Sequence, residues 1–422
     1  MISLAYIALW IFVFSLPWDT VLVIPGIGVL SKLTGALALG LALLAVSITG
    51  RVRRWHLFHI AAFLFVIWTG GVILFVYNPH LIPKKFWTFV QLFLVLWMIW
   101  ELAPSRKRLV GLLVAYVLGA YVAAFETIMV YRREAGAVNR FAAGETDEND
   151  LAMTLALALP MAWYLGMTSS QPLLRWVCRG YLPVGVFAIG LTGSRGGMLA
   201  TIVALLIVPL TMTKLTPGKM VTSIAILIIS GAVAVAYVPQ TIVERLATTR
   251  SEFEDGSLGG RFKLWVAGVR AFTRKPVVGY GAASFKQAVA PFLVTPPQVA
   301  HNSYLSVLVE EGIVGFLLYL LMLIAVFLAL LDLPLLERRF ALVLLATVAV
   351  AMLPLTWEDR KAVWFILAAL LGLAQAHITR SGRTVRQAVA RRAPAFARPP
   401  VGARGVETAA APRRPLDPDV SL

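Results

Sequence analysis

Three side chains in this 422-residue chain have the type and setting for chemistry at a membrane surface: His301, Arg195 and Arg261. His301 opens the stretch His301-Asn302-Ser303-Tyr304 through Glu310-Glu311-Gly312, where a proline-bearing segment meets a very apolar one. An imidazole titrates near neutrality, so it can take a proton from a hydroxyl nucleophile at physiological pH. Tyr304 and Glu311 are spaced to share a helix face with it. Glu310 and Glu311 interrupt an otherwise apolar run, which marks that face as lining a wet cavity. The other histidines, His56, His59, His80 and His377, fall at the edges of apolar windows and read as interfacial.

Arg195 lies in Thr192-Gly193-Ser194-Arg195-Gly196-Gly197, which forms the whole link between two apolar windows. A charge that close to hydrocarbon is costly unless it faces a cavity or a partner, so Arg195 either meets a ligand or pairs with an acid such as Glu310. Arg261 follows Gly259-Gly260 and opens a helical pattern with Phe262, Trp265, Val269 and Phe272 on one face, ended by Pro276. A glycine-led helix start offers free N–H groups and the positive end of a dipole, which suits a phosphate, and the guanidinium adds a bidentate donor. Lys263, Arg270, Arg274 and Lys275 on the same segment also suit an interfacial helix against lipid headgroups. Arg140 is a weaker third arginine, and Lys84, Lys85, Arg132 and Arg133 add cations in loops on the same side. No H-E-x-x-H or paired-cysteine spacing occurs, and Cys178 stands alone, so no metal or other cofactor is expected. The acidic run Glu145, Asp147, Glu148, Asp150 reads as a solvated loop or helix cap.

The elements that must position these groups follow from composition. Hydrophobic residues make up 59% of the chain, charged residues only 14%, and mean hydropathy is +0.81. Soluble domains carry about 25% charged residues, so this is an all-α polytopic membrane protein. Charge-free windows give twelve spans: 1–18, 33–50, 55–83, 86–100, 109–125, 151–174, 180–194, 196–213, 220–243, 312–331, 340–357 and 362–379. The windows 86–100 and 180–194 are short and must borrow flanking residues or lie beside a cavity. The window 287–309 fails on Pro291, Pro296 and Pro297 and is taken mostly as loop.

Short-loop cations such as Arg53, Arg54, Arg106, Arg108, Arg338 and Arg339 fall in alternate loops, which places both termini in the cytoplasm. Residues 1–379 then form the membrane domain, with a long helical loop over 238–301, between spans nine and ten, facing outward. That loop holds eight Lys or Arg, Arg245 and Arg250 among them, against four acids. Outward cations run against the positive-inside bias, so an anion is expected there. The segment 380–422 mixes Arg, Ala and Pro and cannot bury a core; it reads as a disordered cytoplasmic tail touching anionic lipid, with no role for nucleic acid.

Taken in this order and topology, the motifs resemble the O-antigen ligase and polymerase superfamily of bacterial envelope proteins. They are Thr192 to Gly197, Gly260-Arg261 with Trp265, Pro276 with Gly279-Tyr280-Gly281, and His301 to Gly315. The resemblance covers roughly residues 30 to 375. It implies transfer of a glycan from undecaprenyl pyrophosphate at the periplasmic face of the inner membrane, without a metal or nucleotide. His301 would be the base and Arg195 and Arg261 the diphosphate clamp, with Arg140, Tyr304, Glu310, Glu311, Lys84 and Lys85 as further substrate contacts. Lipid A-core is the acceptor expected of a ligase, which the extra cations favour; a polymerase would use a second lipid-linked repeat. A twelve-span transporter is the reading from another class, and the lack of a visible internal repeat and of a long central link counts against it.

Overall fold

Alanine and glycine set how closely the helices of this protein approach. In the computed structural model, α6 (Glu148–Thr168) is buried from Leu151 to Gly166, and its Ala152, Ala156, Ala158 and Ala162 let α5 (Arg106–Glu134), α7 (Pro172–Leu191) and α8 (Arg195–Leu205) pack directly against it. Small residues serve this purpose in lipid, where close backbone approach rather than hydrophobic expulsion drives association. The structure describes residues 1–26, 28–50, 52–75, 82–134, 140–212, 216–237, 239–240, 242, 244 and 260–392.

Before α5 come α1 (Ile2–Ser15), α2 (Leu30–Thr49), α3 (Leu57–Gly71) and α4 (Ile82–Leu102). After α8 come α9 (Ile207–Met212), α10 (Pro217–Tyr237), α11 (Arg261–Arg274), α12 (Phe285–Val289), α13 (Ser303–Leu330), α14 (Leu335–Ala351) and α15 (Lys361–Arg392). A hairpin of Val23–Ile24 against Gly28–Val29 is the only sheet among the described residues. The all-α expectation therefore holds. Met1–His377 make up one compact unit, and the described residues of the second, from Ile378, are helical through Arg392.

Helix covers much of the described part of each of the twelve apolar windows. By length and composition, eight described helices suffice to cross a membrane, and Ile2–Trp18 and Arg195–Thr211 are shorter apolar stretches. The two short windows do borrow flanking residues, since their helices run over Ile82–Leu102 and Pro172–Leu191. His80, Arg245, Arg250 and the tail beyond 392 lie outside the described residues.

Two features differ from the reading of the windows. Helix α13 begins at Ser303, nine residues before its apolar window, because Asn302 caps it by accepting a hydrogen bond from the Leu305 N–H at 3.0 Å. It is then broken at Gly312, where φ is 66° and ψ is −171°. The segment 276–281 fills the break with its own backbone: Ile313 N–H donates to Pro276 O, Tyr280 N–H to Val309 O and Gly281 N–H to Glu310 O, at 2.8, 3.1 and 2.7 Å. Both crossing points require glycine. A Cβ on Gly312 would lie 2.2 Å from the Val277 carbonyl oxygen, and one on Gly279 2.4 Å from that of Glu310.

Helices α11 and α12 share a small core of their own on the first turns of α13, built from Leu264, Ala267, Ala271, Phe285, Val289, Ala300 and Val309. The buried stripe of α11 is Leu264, Ala267, Gly268 and Ala271. The face expected from the sequence is therefore displaced, with Phe262 and Val269 more than half exposed. Gly268 explains the choice, since a Cβ there would sit 2.9 Å from the Leu305 side chain of α13.

Candidate functional site

Helix starts converge on one cavity. It has a volume of about 430 Å³ and takes Lys85 from the first turn of α4, Asp147 and Asp150 from the start of α6, and His301, Ser306 and Glu310 from the start of α13. Leu355, Thr356, Asp359 and Arg360 come from the loop leading into α15, and Ala283, Phe285 and Lys286 from α12 and its approach. N–H groups and dipole ends at helix starts favour anionic ligands.

His301 precedes the helix and adopts φ 44°, the left-handed region that a side chain with a Cβ seldom occupies. Its N–H donates to the Thr356 hydroxyl at 3.1 Å, and the next turn is stitched to the same loop: Ser303 N–H reaches Met352 O at 2.9 Å, Ser303 Oγ donates to Leu355 O, and Trp357 N–H donates back to Ser303 Oγ at 2.7 Å. Over-determination of this kind is what holds a strained residue in place. Burial lowers the pKa of His301 below the ordinary histidine value and the positive charge of Arg261 lowers it further; Asp147 pulls the other way, and Lys286 adds a smaller downward push. The imidazole is thus neutral at pH 7, the form that accepts a proton.

The structure brings His301, Lys85 and Glu310 together, and sets Tyr304 and Glu311 elsewhere. Because His301 is outside the helix, the spacing expected to align it with Tyr304 and Glu311 does not apply. The cavity face of α13 carries Ser306 and Glu310, one turn apart. Tyr304 donates to Ala349 O of α14 at 3.1 Å. Glu311 is buried beside Trp68 and Thr69, with Trp68 Nε1 donating to its backbone oxygen at 2.9 Å.

Glu310 accepts from Lys85 Nζ at 2.7 Å, from Ala283 N–H at 2.9 Å and from Phe285 N–H at 3.2 Å. Its carboxylate is thus occupied by three donors, and the acid suggested as a partner for Arg195 is taken by Lys85. Lys85, one of the suggested substrate contacts, lines the cavity with its ammonium between Glu310 and Glu358. Lys84 is exposed, and Arg133 pairs with Glu126 at 2.9 Å.

Arg261 is the first residue of α11, behind Gly260 at φ 81°, and its charge reaches His301. Trp265 Nε1 donates to Ala300 O at 3.0 Å and so fixes α11 against the segment that carries His301. Arg274 lies over the Phe292 ring and Lys275 over that of Tyr280, at 4.5 and 5.0 Å, which gives these two cations a packing role within the loop.

Arg195 opens α8 after a turn through Gly193 at φ 57°, with Ser194 capping by accepting from Gly197 N–H at 3.1 Å. It does not line the cavity; its neighbour Gly196 packs on Pro354, next to cavity residue Leu355. Arg140 donates to Thr192 O and to Asn149 Oδ1 at 2.8 and 2.9 Å and pairs with Glu148 at 3.2 Å, so it braces the turn before Arg195. His59 is buried, not interfacial: it and His56 cap the start of α3 reciprocally.

Sequence reasoning missed Glu358, Asp359, Arg360 and Thr356. The signal was present as Trp357-Glu358-Asp359-Arg360-Lys361, a dense charged run between two apolar windows. Asp150, taken with its neighbours as solvated or capping, accepts from Trp357 Nε1 at 2.9 Å and pairs with Arg360, while Asp147 does cap α6.

A helical multi-pass membrane protein with a charged cavity at converging helix starts is the class this geometry defines. Residues 181–320 match the family model described as O-Antigen ligase. That segment takes in Arg195, Arg261, His301 and Glu310, and the resemblance drawn from the motifs to the O-antigen ligase superfamily is met across it. No curated protein matches the chain.

Proposed function

We propose that this protein is an O-antigen ligase that transfers a glycan from undecaprenyl pyrophosphate to lipid A-core at the periplasmic face of the inner membrane. His301, neutral and held at the cavity by Thr356, is the observation that carries the reading. The acceptor hydroxyl oxygen attacks the anomeric carbon, its proton passes to the His301 imidazole, and the bond to the diphosphate breaks with the electron pair leaving on oxygen. A single displacement inverts the anomeric centre. Developing charge on the leaving diphosphate needs preorganised donors. Arg261 and the start of α11 supply them beside His301, and Arg195 is the second arm of the clamp. No metal is needed in this scheme, since guanidinium groups take the place of the ion.

Deleting the gene and resolving lipopolysaccharide on a gel tests the assignment. Loss of the whole ladder with lipid A-core retained is the result expected. Core bearing a single repeat would identify a polymerase, and an unchanged ladder would remove both.

A further inference from the structure

Beyond the base and the clamp, the cavity depends on a residue that touches neither. We propose that Lys85 is a positioning residue, whose ammonium locks together the three chain segments that hold His301 in its working geometry. The proposal rests on the transferase reading above for its kinetic arm and on geometry alone for its second arm.

Lys85 Nζ stands 2.7 Å from Glu310 Oε2 and 2.8 Å from Glu358 Oε1, with its side chain 11% exposed and theirs 5% and 0%. Each carboxylate leads to a different wall. Glu310 receives Ala283 N–H and Phe285 N–H, and so fixes the approach to α12 that brings Lys286 to the cavity. Glu358 receives Ser306 Oγ at 3.0 Å and belongs to the loop whose Thr356 holds the His301 N–H. Trp364 Nε1 closes the loop by donating to Glu358 O at 2.8 Å. With the ammonium absent, two buried carboxylates would face one another with no cation between them, and the α12 approach and the Thr356 loop would separate. His301, at φ 44°, would be free to relax, because that loop holds its N–H against the backbone strain.

A lysine at the edge of a phosphate-handling cavity invites a simpler role, direct contact with substrate, and the kinetics separate the two. Lys85→Met, Lys85→Arg and Glu358→Gln are assayed in the full-length purified protein with lipid-linked glycan and lipid A-core. Positioning predicts that Lys85→Met and Glu358→Gln each lower kcat about a hundredfold, as displacements near 1 Å do, with both KM values held within about threefold. Lys85→Arg recovers most of the rate, and the double variant Lys85→Met/Glu358→Gln costs no more than the worse single change. The second arm follows carbethoxylation of His301 by diethyl pyrocarbonate, measured by mass spectrometry relative to His56, and Lys85→Met should change that ratio several-fold.

A raised KM at unchanged kcat would make Lys85 a substrate contact and overturn the proposal. So would wild-type transfer together with a wild-type modification ratio in Lys85→Met. Loss of the thermal unfolding transition in Lys85→Met, with no recovery in Lys85→Arg, would reduce Lys85 to a structural staple and equally overturn it. If the wild-type protein itself transfers no glycan, the transferase reading fails, while the modification ratio still decides the role of Lys85.

Discussion

Helix α4 has a charged group near each end, Lys85 in its first turn and Glu101 in its last, roughly 24 Å apart at 1.5 Å per residue. At the Glu101 end, the carboxylate accepts the Arg53 N–H at 3.0 Å, while the Arg53 guanidinium lies 3.8 Å over the Trp100 ring and donates to Trp100 O. Close by in the chain, Arg106 pairs with Glu337 at 3.1 Å with its side chain 47% exposed. The first of these ties a connection to one helix and the second joins the starts of two helices, and water reaches several of the groups. At the Lys85 end, the pairs are buried and link three remote segments around a cavity. The two ends teach that counting ion pairs says little. Burial, and the number of segments a pair joins, separate a fastening from a site.

The largest effect that would sharpen this contrast is expected at His301. His301→Ala should lower transfer by about 10² to 10⁴ while the protein still inserts and binds the lipid-linked donor. Single-turnover assays beside a donor-binding measurement check it, and near wild-type product would demote His301 to a helix-start residue. Arg261→Lys and Arg195→Lys keep the cation and lose the planar fork, which should cost on the order of 3 kcal/mol in transition-state stabilisation, about a hundredfold in rate. Full activity in both would leave no bidentate clamp.

Gly312→Ala tests the fold beneath the site. Its Cβ would meet the Val277 carbonyl oxygen at a residue whose φ is 66°, and the combined clash and strain should destabilise the protein by about 3 kcal/mol. A melting curve in detergent that matches wild type would contradict the interlock. Smaller still is the shift in pH profile. Activity requires neutral His301 and should fall as pH drops through a pKa lying below the ordinary histidine value. Removing the positive charge in Lys286→Ala makes protonation easier, so the acid limb should move to higher pH; a move the other way would separate Lys286 from the base. At the other end of α4, Glu337→Gln should cost no more than about 1 kcal/mol, because Arg106 is half exposed and keeps its 2.7 Å hydrogen bond to Tyr164. A loss of several kcal/mol there would erase the distinction between the ends.

Apolar windows were enough to read the long apolar helices among the described residues, since hydrocarbon thickness leaves a signal that survives any detail of packing. The helix starts at Asp147 and Gly260 were legible for a related reason: capping is local chemistry. What could not be read was the partner of each charge. Lys85 looked like an outward cation because its acids lie 225 and 273 residues away. The backbone break at Gly312 was hidden as well, because a helix interrupted by another strand of chain keeps its apolar composition. Arg195 was located correctly at a tight turn, and its neighbours, not its sequence, decide that it stands beside the cavity wall rather than on it.

The exchange of backbone hydrogen bonds between 276–281 and 309–313 has a consequence for how the protein is made. A segment entering the membrane as an isolated helix must satisfy its own N–H and C=O groups. Around Gly312 this one does not: Ile313 N–H, Val309 O and Glu310 O are answered by residues translated earlier, in the preceding loop. That loop has to fold back before the helix behind it can settle, so insertion of the span and assembly of the cavity wall are one event during biogenesis.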